Sequence, residues 1–222
     1  KKILTIIGTR PEIIKMFPLI KKLDTKFNQK VIFSGQHFSK NMADIFFKDL
    51  RLREPDLKVK IINKNNFYNE FYKKLKTIIK KEHPSAIIYH GDTFTTLASA
   101  VSSHLYFPEI KNIHIESGYR SRLKSQIEER IRTIVDNISF ANFTIRKNEK
   151  NNLFNEGVKN NVYQVGNTIN DSIKIIQKRL KRKISKKYVF VTMHRAENVD
   201  DKKKLNQIFK FLNNLSKRIN II

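Results

Sequence analysis

The chain has 222 residues, 40% of them hydrophobic, enough to bury a real core, which excludes a globally disordered protein. It has no cysteine, so disulfides and thiolate–metal centres are excluded, and no apolar run approaches the roughly 20 residues that cross a bilayer. The net charge of +25 points toward polyanions, but the lysines are spread over most helical segments. That distribution reads as a solvated, lysine-biased surface, with a polyanion-binding face at the dense basic run 178–187 as the alternative.

Taken in order, short β-branched runs alternate with amphipathic stretches. Residues 3–7 form an apolar run, too short for a secretory signal and followed by no small-residue cleavage site. A cytoplasmic protein is expected. Residues 11–23 carry Ile13, Ile14, Phe17 and Ile20 at helical spacing. A strand over 31–33 and a helix over 41–50 follow. Residues 67–81 repeat Phe67, Phe71, Leu75, Ile78 and Ile79 in a 3.6-residue stripe that Pro84 ends. Then come a buried strand at 86–89, a helix at 97–105 and a strand at 113–115. A helix at 125–138 leads to an extended stretch at 140–145 and a helix at 148–155 closed by Gly157. Strand 162–165, helix 171–180, strand 189–192, helix 203–215 and a strand from 220 complete the chain.

Strands alternating with single helices predict right-handed βαβ units and doubly wound parallel sheets. The division predicted here is a Rossmann-like domain over 1–166 and the start of a second over 167–222. The β-α-β left after that boundary is too little to close a core, so the second domain reads as truncated.

Of the 6 glycines, all but Gly157 directly follow an apolar strand. Each stands beside polar residues: Thr9-Arg10, Gln36-His37, Asp92-Thr93, Glu116 with Arg120, and Asn167-Thr168. A parallel sheet gathers its strand C-termini at one edge, where open α/β folds bind ligands, so these clusters are expected to line one crevice. Thr9, Pro11 and Glu12 are explained by helix capping alone. Arg10 is not: a cation at the positive end of a helix dipole makes sense if an anion binds beside it, and Lys15 adds a second charge one turn on. Asp92 either caps the next helix or serves a ligand. Glu116, just past a buried strand, is expected to be partly desolvated, with its pKa raised into the range of a general acid or base. Glu128 is a candidate whose plainer reading is an i,i+4 pair with Arg132. His194 ends a strand beside Arg195. There is no HxH or HExxH pair, no GxGxxG and no GxxxxGK[ST], so neither a metal nor a nicotinamide cofactor is expected.

These segments, in order, resemble the non-hydrolysing UDP-N-acetylglucosamine 2-epimerase family: Gly8 to Glu12 with Lys15, Gly35-Gln36-His37, His90-Gly91-Asp92-Thr93, His114-Ile115-Glu116-Ser117-Gly118, Glu128-Glu129, Gly166-Asn167-Thr168 and Thr192 to Arg195. The resemblance implies the two-domain GT-B architecture of nucleotide-sugar glycosyltransferases, and an isomerase that interconverts UDP-N-acetylglucosamine and UDP-N-acetylmannosamine for surface polysaccharides. Inversion at C2 would run through loss of UDP to a 2-acetamidoglucal and its re-addition. By motif match Asp92, Glu116 and Glu128 are the acid/base candidates, with His194 joined to them. Arg10, Lys15, Asp92, Glu116 and His194 are the UDP-sugar contacts. No cofactor, metal, nucleic acid or membrane is implied, and a homodimer is expected at full length. The family's uridine-binding Ser-Gly-Gly segment falls beyond Ile222, so the chain as given is expected to be an inactive fragment. The alternatives are a hydrolysing or uronic-acid-type UDP-sugar 2-epimerase, a basic nucleic-acid-binding α/β module, and a dead fragment that only binds a partner.

Overall fold

A computed structural model describes residues 1–36, 40–123, 125–179, 187–193 and 196–222. Strands β1 (Lys2–Ile7), β2 (Asn28–Phe33), β3 (Leu57–Lys58), β4 (Ala86–His90), β5 (Lys111–Ser117), β6 (Ala141–Thr144) and β7 (Val162–Gln164) form one sheet in the order β3-β2-β1-β4-β5-β6-β7. Every pairing is parallel. Between them run α1 (Arg10–Asp24), α2 (Lys40–Asp49), a 3-10 turn (Lys64–Asn66), α3 (Phe67–Glu82), α4 (Phe94–Tyr106), α5 (Ile127–Ile138), α6 (Lys147–Asn155) and α7 (Thr168–Gln177). The chain winds outward from β1 to β3, then returns to lay β4 on the other side of β1. That reversal opens a crevice between the carboxyl ends of β1 and β4.

Period-two alternation in β1 feeds two cores. Ile3 and Ile7 pack with Ile13, Phe17 and Ile20 of α1 and Phe47 of α2. Leu4 and Ile6 face the other way, onto Phe71, Leu75 and Ile79 of α3 and Ala98 of α4. Each fully buried Leu, Ile or Phe contributes about 1.5–3 kcal/mol, and these two layers fix the sheet's position between its helices. Helix α3 ends where His83 takes a left-handed conformation before Pro84, which cannot continue it.

Pro18 sits inside α1 and has no N–H for the carbonyl of Ile14. The buried Ser172 hydroxyl of α7 donates to that carbonyl at 2.6 Å. Ile175 and Ile176 pack on the same core. Helix α7 therefore belongs with the first sheet, and the two compact units are Lys1–Gln177 and Lys178–Ile222. The division falls at the end of α7, not at residue 166: the Pro18 defect and the apolar face of α7 complete each other.

The second unit holds the parallel pair β8 (Tyr188–Val189) and β9 (Asn220–Ile221), α8 (Ala196–Val199) and α9 (Lys202–Ser216). Asp201 caps α9 by accepting from the N–H groups of Lys203 and Lys204. No described helix is long and apolar enough to cross a membrane.

Candidate active site

The turn after β1 is tight. A Cβ at Gly8 would fall 2.2 Å from the Thr95 hydroxyl and 2.3 Å from that of Ser34, so only glycine fits there. Thr9 then starts α1, and Glu12, three residues on, folds back. Its Oε2 accepts from the N–H of Gly8 and, at 3.0 Å, from that of Thr9. Its Oε1 accepts from the Thr93 hydroxyl at 2.7 Å. The N–H groups of Gly8 and Thr9, just ahead of the helix, are thus taken by an internal carboxylate. Burial, helped slightly by the negative charge of Asp92, outweighs these donors and raises Glu12 to about 7.

His90 ends β4, and Gly91, Asp92 and Thr93 follow, the last capping α4 by accepting from the Thr96 N–H at 3.2 Å. Near the end of β5 the ladder with β6 slips between Ile115 and Ser117, and Glu116 takes a left-handed backbone, φ 67°. A non-glycine residue in that region costs on the order of 1–3 kcal/mol, tolerated where the surroundings hold it. Here the bulge turns Glu116 toward Lys15, whose ammonium lies 2.7 and 2.6 Å from its two oxygens. The buried His90 ring places Nε2 3.2 Å from Oε2. Burial alone would raise Glu116, but His90 and Lys15 together hold it down at about 2. The expectation of a raised Glu116 is therefore wrong, because two partners outweigh its desolvation. Burial also lowers His90, more than Glu116 raises it, leaving a neutral imidazole at pH 7.

Asp92 is paired with Arg132 of α5, which also donates to Glu129 at 3.0 Å. Arg132 thus bonds Glu129 and Asp92, not the Glu128 that an i,i+4 spacing suggests. Glu129 is buried and accepts from the backbone of Ser121 and Arg122, a loop-holding role. Its neighbour Glu128 is left facing the crevice.

One cavity of about 320 Å³ joins these turns, lined by Thr9, Glu12, Lys15, His90, Asp92, Thr93, Glu116 and Glu128, with Phe94, Ile127 and Ile131 as an apolar wall. Asp92, Glu116, Glu128 and Lys15 are brought together as the sequence motifs suggest. Gln36 joins them from the end of β2, held by the N–H and hydroxyl of Thr95. Arg10 stands half-buried at the start of α1, between two lining residues but not itself lining the cavity. Arg120 turns away to Asp136 and Glu156. The Gly166-Asn167-Thr168 cluster follows β7 at the far edge of the sheet and does not reach the cavity. His37, His194, Arg195 and most of the dense basic run lie outside the described residues. Glu12, His90 and Arg132 are the residues that sequence reasoning undervalued. For Arg132 and His90 the signal is non-local. For Glu12 a capping box already accounts for the residue. Among the described residues no group of three or more His, Asp or Glu side chains is arranged to hold a metal.

The family model for UDP-N-acetylglucosamine 2-epimerase matches residues 21–222. The chain belongs to this family. It is 38% identical over 231 residues to the UDP-N-acetylglucosamine 2-epimerase of Methanococcus maripaludis, covering 98% of this chain and 62% of that protein. It is 33% identical over 226 residues to the UDP-2,3-diacetamido-2,3-dideoxy-D-glucuronate 2-epimerase of Pseudomonas aeruginosa, covering 96% and 63%. The crystal structure of the Methanocaldococcus jannaschii UDP-GlcNAc 2-epimerase in complex with UDP-GlcNAc and UDP superposes with a TM-score of 0.86 at 32% identity, covering 100% of this chain and 65% of that one. The α/β, parallel-sheet class is thus that of solved family members. The chain spans about three fifths of the length of the curated relatives it matches.

Proposed function

We propose that this chain carries the acid/base half of a UDP-N-acetylglucosamine 2-epimerase that interconverts UDP-N-acetylglucosamine and UDP-N-acetylmannosamine. The observation that supports it most is the meeting of Asp92, Glu116 and Glu128 in one cavity with Lys15. Epimerisation at C2 needs groups on both faces of that carbon: one to take its proton as the C1–O bond to UDP breaks, another to return a proton from the opposite face. Glu116 is ionised and can take the proton, with base strength that grows as its hold by His90 and Lys15 loosens. Asp92 and Glu128, on other elements of the same lining, are the candidates for the other face. Arg10 and Lys15 would favour the anionic diphosphate, and His194 would contact it from residues 178–222, which we read as the start of a second Rossmann-like domain. Lys15 is already committed to Glu116, so its help to the diphosphate would come through that pair. A cytoplasmic homodimer needing no cofactor completes the proposal.

The test is incubation of the complete protein with UDP-N-acetylglucosamine in D2O. Deuterium at C2 of an intact UDP-N-acetylmannosamine product is expected. Free N-acetylmannosamine would show a hydrolysing enzyme, and turnover confined to a UDP-uronic acid would move the substrate to that of the Pseudomonas relative. Absence of C2 exchange with any of these substrates would overturn the proposal.

A further inference from the structure

Glu12 lines the cavity while only 2% exposed, and among the described residues no cation pairs with its carboxylate. Its three donors come from two separate turns: Gly8 and Thr9 after β1, and Thr93 after β4. Thr93 directly follows Asp92. Its hydroxyl oxygen also accepts from the Thr96 N–H and lies 3.1 Å from the Thr96 hydroxyl, which donates to the carbonyl of His90 at 2.6 Å. Both hydroxyl protons are thus spent, on Glu12 and on the His90 carbonyl, and the Thr96 N–H is the link that carries the path from the Glu12 carboxylate through Thr93 and Thr96 back to the end of β4.

We propose that Glu12 is a positioning residue of this site: its ionised carboxylate ties the β1 turn to the β4 turn, fixes the direction of the Thr93 hydroxyl, and through it the placement of Asp92. Its catalytic consequence rests on the function proposed above; its structural part does not.

Ionised, Glu12 accepts from all three donors. Protonated, one of its oxygens becomes a donor, and the acceptor within reach is Thr93. The Thr93 proton must then swing to the Thr96 hydroxyl, whose own proton remains on the His90 carbonyl. The Glu12–Thr93 link reverses and the two threonine hydroxyls become bonded to each other, but the tie to the β1 turn weakens because a neutral acid accepts more weakly from N–H groups than a carboxylate does. The other charged groups around Glu12 are Asp92 on the β4 turn, which opposes ionisation, and Lys15 on its own helix, which is spent on Glu116. The buried His90 is neutral at pH 7. The site is therefore expected to pass from a loose to a tight form as pH rises through about 7.

Glu12→Gln mimics the protonated form, since its amide offers one acceptor to the β1 turn and one donor to Thr93. Thr93→Val removes the donor and should raise the midpoint. The first measurement is amide NMR of the chain over pH 5 to 9. The Gly8 and Thr9 N–H resonances should shift together with one midpoint near 7. They should stop titrating in Glu12→Gln and titrate higher in Thr93→Val. Unlinked shifts, or a midpoint unmoved by Thr93→Val, would overturn the tie. The second measurement is the pH profile of kcat in the complete protein. Glu12→Gln should lower kcat roughly tenfold above pH 7 and flatten the limb, with KM nearly unchanged, the size expected for a misplaced catalytic group. An unchanged profile beside the NMR titration would overturn the positioning role. An inactive wild type would sink the proposed function instead, while the amide titration still decided the tie.

Discussion

Replacing Lys15 by Met removes an ammonium that touches both oxygens of Glu116 and keeps an apolar stem of similar length. The folded protein holds Glu116 at about 2 against an ordinary 4.5, which at about 1.4 kcal/mol per tenfold change in proton affinity corresponds to roughly 3 kcal/mol. That advantage is what His90 and Lys15 leave after burial has been overcome. The Lys15 and Glu116 side chains are 25% and 24% exposed, so solvent screens the contact only in part. A charged hydrogen bond is worth about 1.5–3 kcal/mol, so Lys15→Met should cost about 2 kcal/mol at pH 7. Glu116 should then rise from about 2 toward the ordinary carboxylate value, with His90 still holding it down in part. The sign follows from linkage. A carboxyl whose folded pKa is depressed stabilises fully above its unfolded value and loses that contribution as pH falls through the folded one. The penalty should therefore be complete at pH 7 and shrink between 4.5 and about 2. Urea unfolding of both proteins at pH 7 and pH 3, with a carboxyl-carbon titration of Glu116, measures it. Equal stability at pH 7, or a penalty that grows in acid, would refute the account.

Three further outcomes are expected. Ser172→Ala leaves the Ile14 carbonyl buried without a donor and should cost about 1–3 kcal/mol by urea unfolding; in a Pro18→Ala background, where a backbone N–H is restored, most of that cost should vanish. Arg132→Met frees the charges of Asp92 and Glu129 together and should destabilise by on the order of 2–4 kcal/mol, seen as a lowered melting temperature that Asp92→Asn partly restores. Gly118→Ala places a Cβ 2.3 Å from the Glu149 carbonyl at φ 78°, so a loss of about 3 kcal/mol or more, or failure to accumulate soluble protein, is expected on expression.

The sheet was legible because its strands carry a two-residue alternation and its helices a 3.6-residue one, and both patterns reflect burial that really occurs. β3 escaped notice: Leu57–Lys58 is two exposed residues with no pattern to read. α8 is four residues long, below the length at which periodicity exists. The boundary at residue 166 went astray because α7 looks, by sequence, like any helix after a glycine turn. What binds it to the first sheet is a missing N–H at Pro18, more than 150 residues earlier. At the site, residue types after each strand told which turns matter, since chain direction alone sends them to one edge. The states of the side chains were not legible. Whether Glu116 is raised or lowered depends on Lys15, 101 residues away, and on the neutral His90.

The cavity's carboxylates are distinguished by partners and not by type. Glu116 has an ammonium and an imidazole, Asp92 has a guanidinium, and Glu12 has only neutral donors. Burial pushes Glu12 and Glu116 the same way, yet they end near 7 and 2. The difference lies in the partners: Glu116 has the His90 ring and the Lys15 ammonium against it, which together outweigh its desolvation, whereas the N–H and hydroxyl donors of Glu12 do not. Two carboxyl groups whose environments drive them apart can divide the work of one reaction at one pH. Glu116 stays ionised throughout the neutral range, a weak base for as long as His90 and Lys15 hold it. Glu12 changes state inside that range and, by tying Thr93, passes the change to the turn that carries Asp92. Sensitivity to pH in this site therefore enters through the buried carboxyl that neutral donors hold.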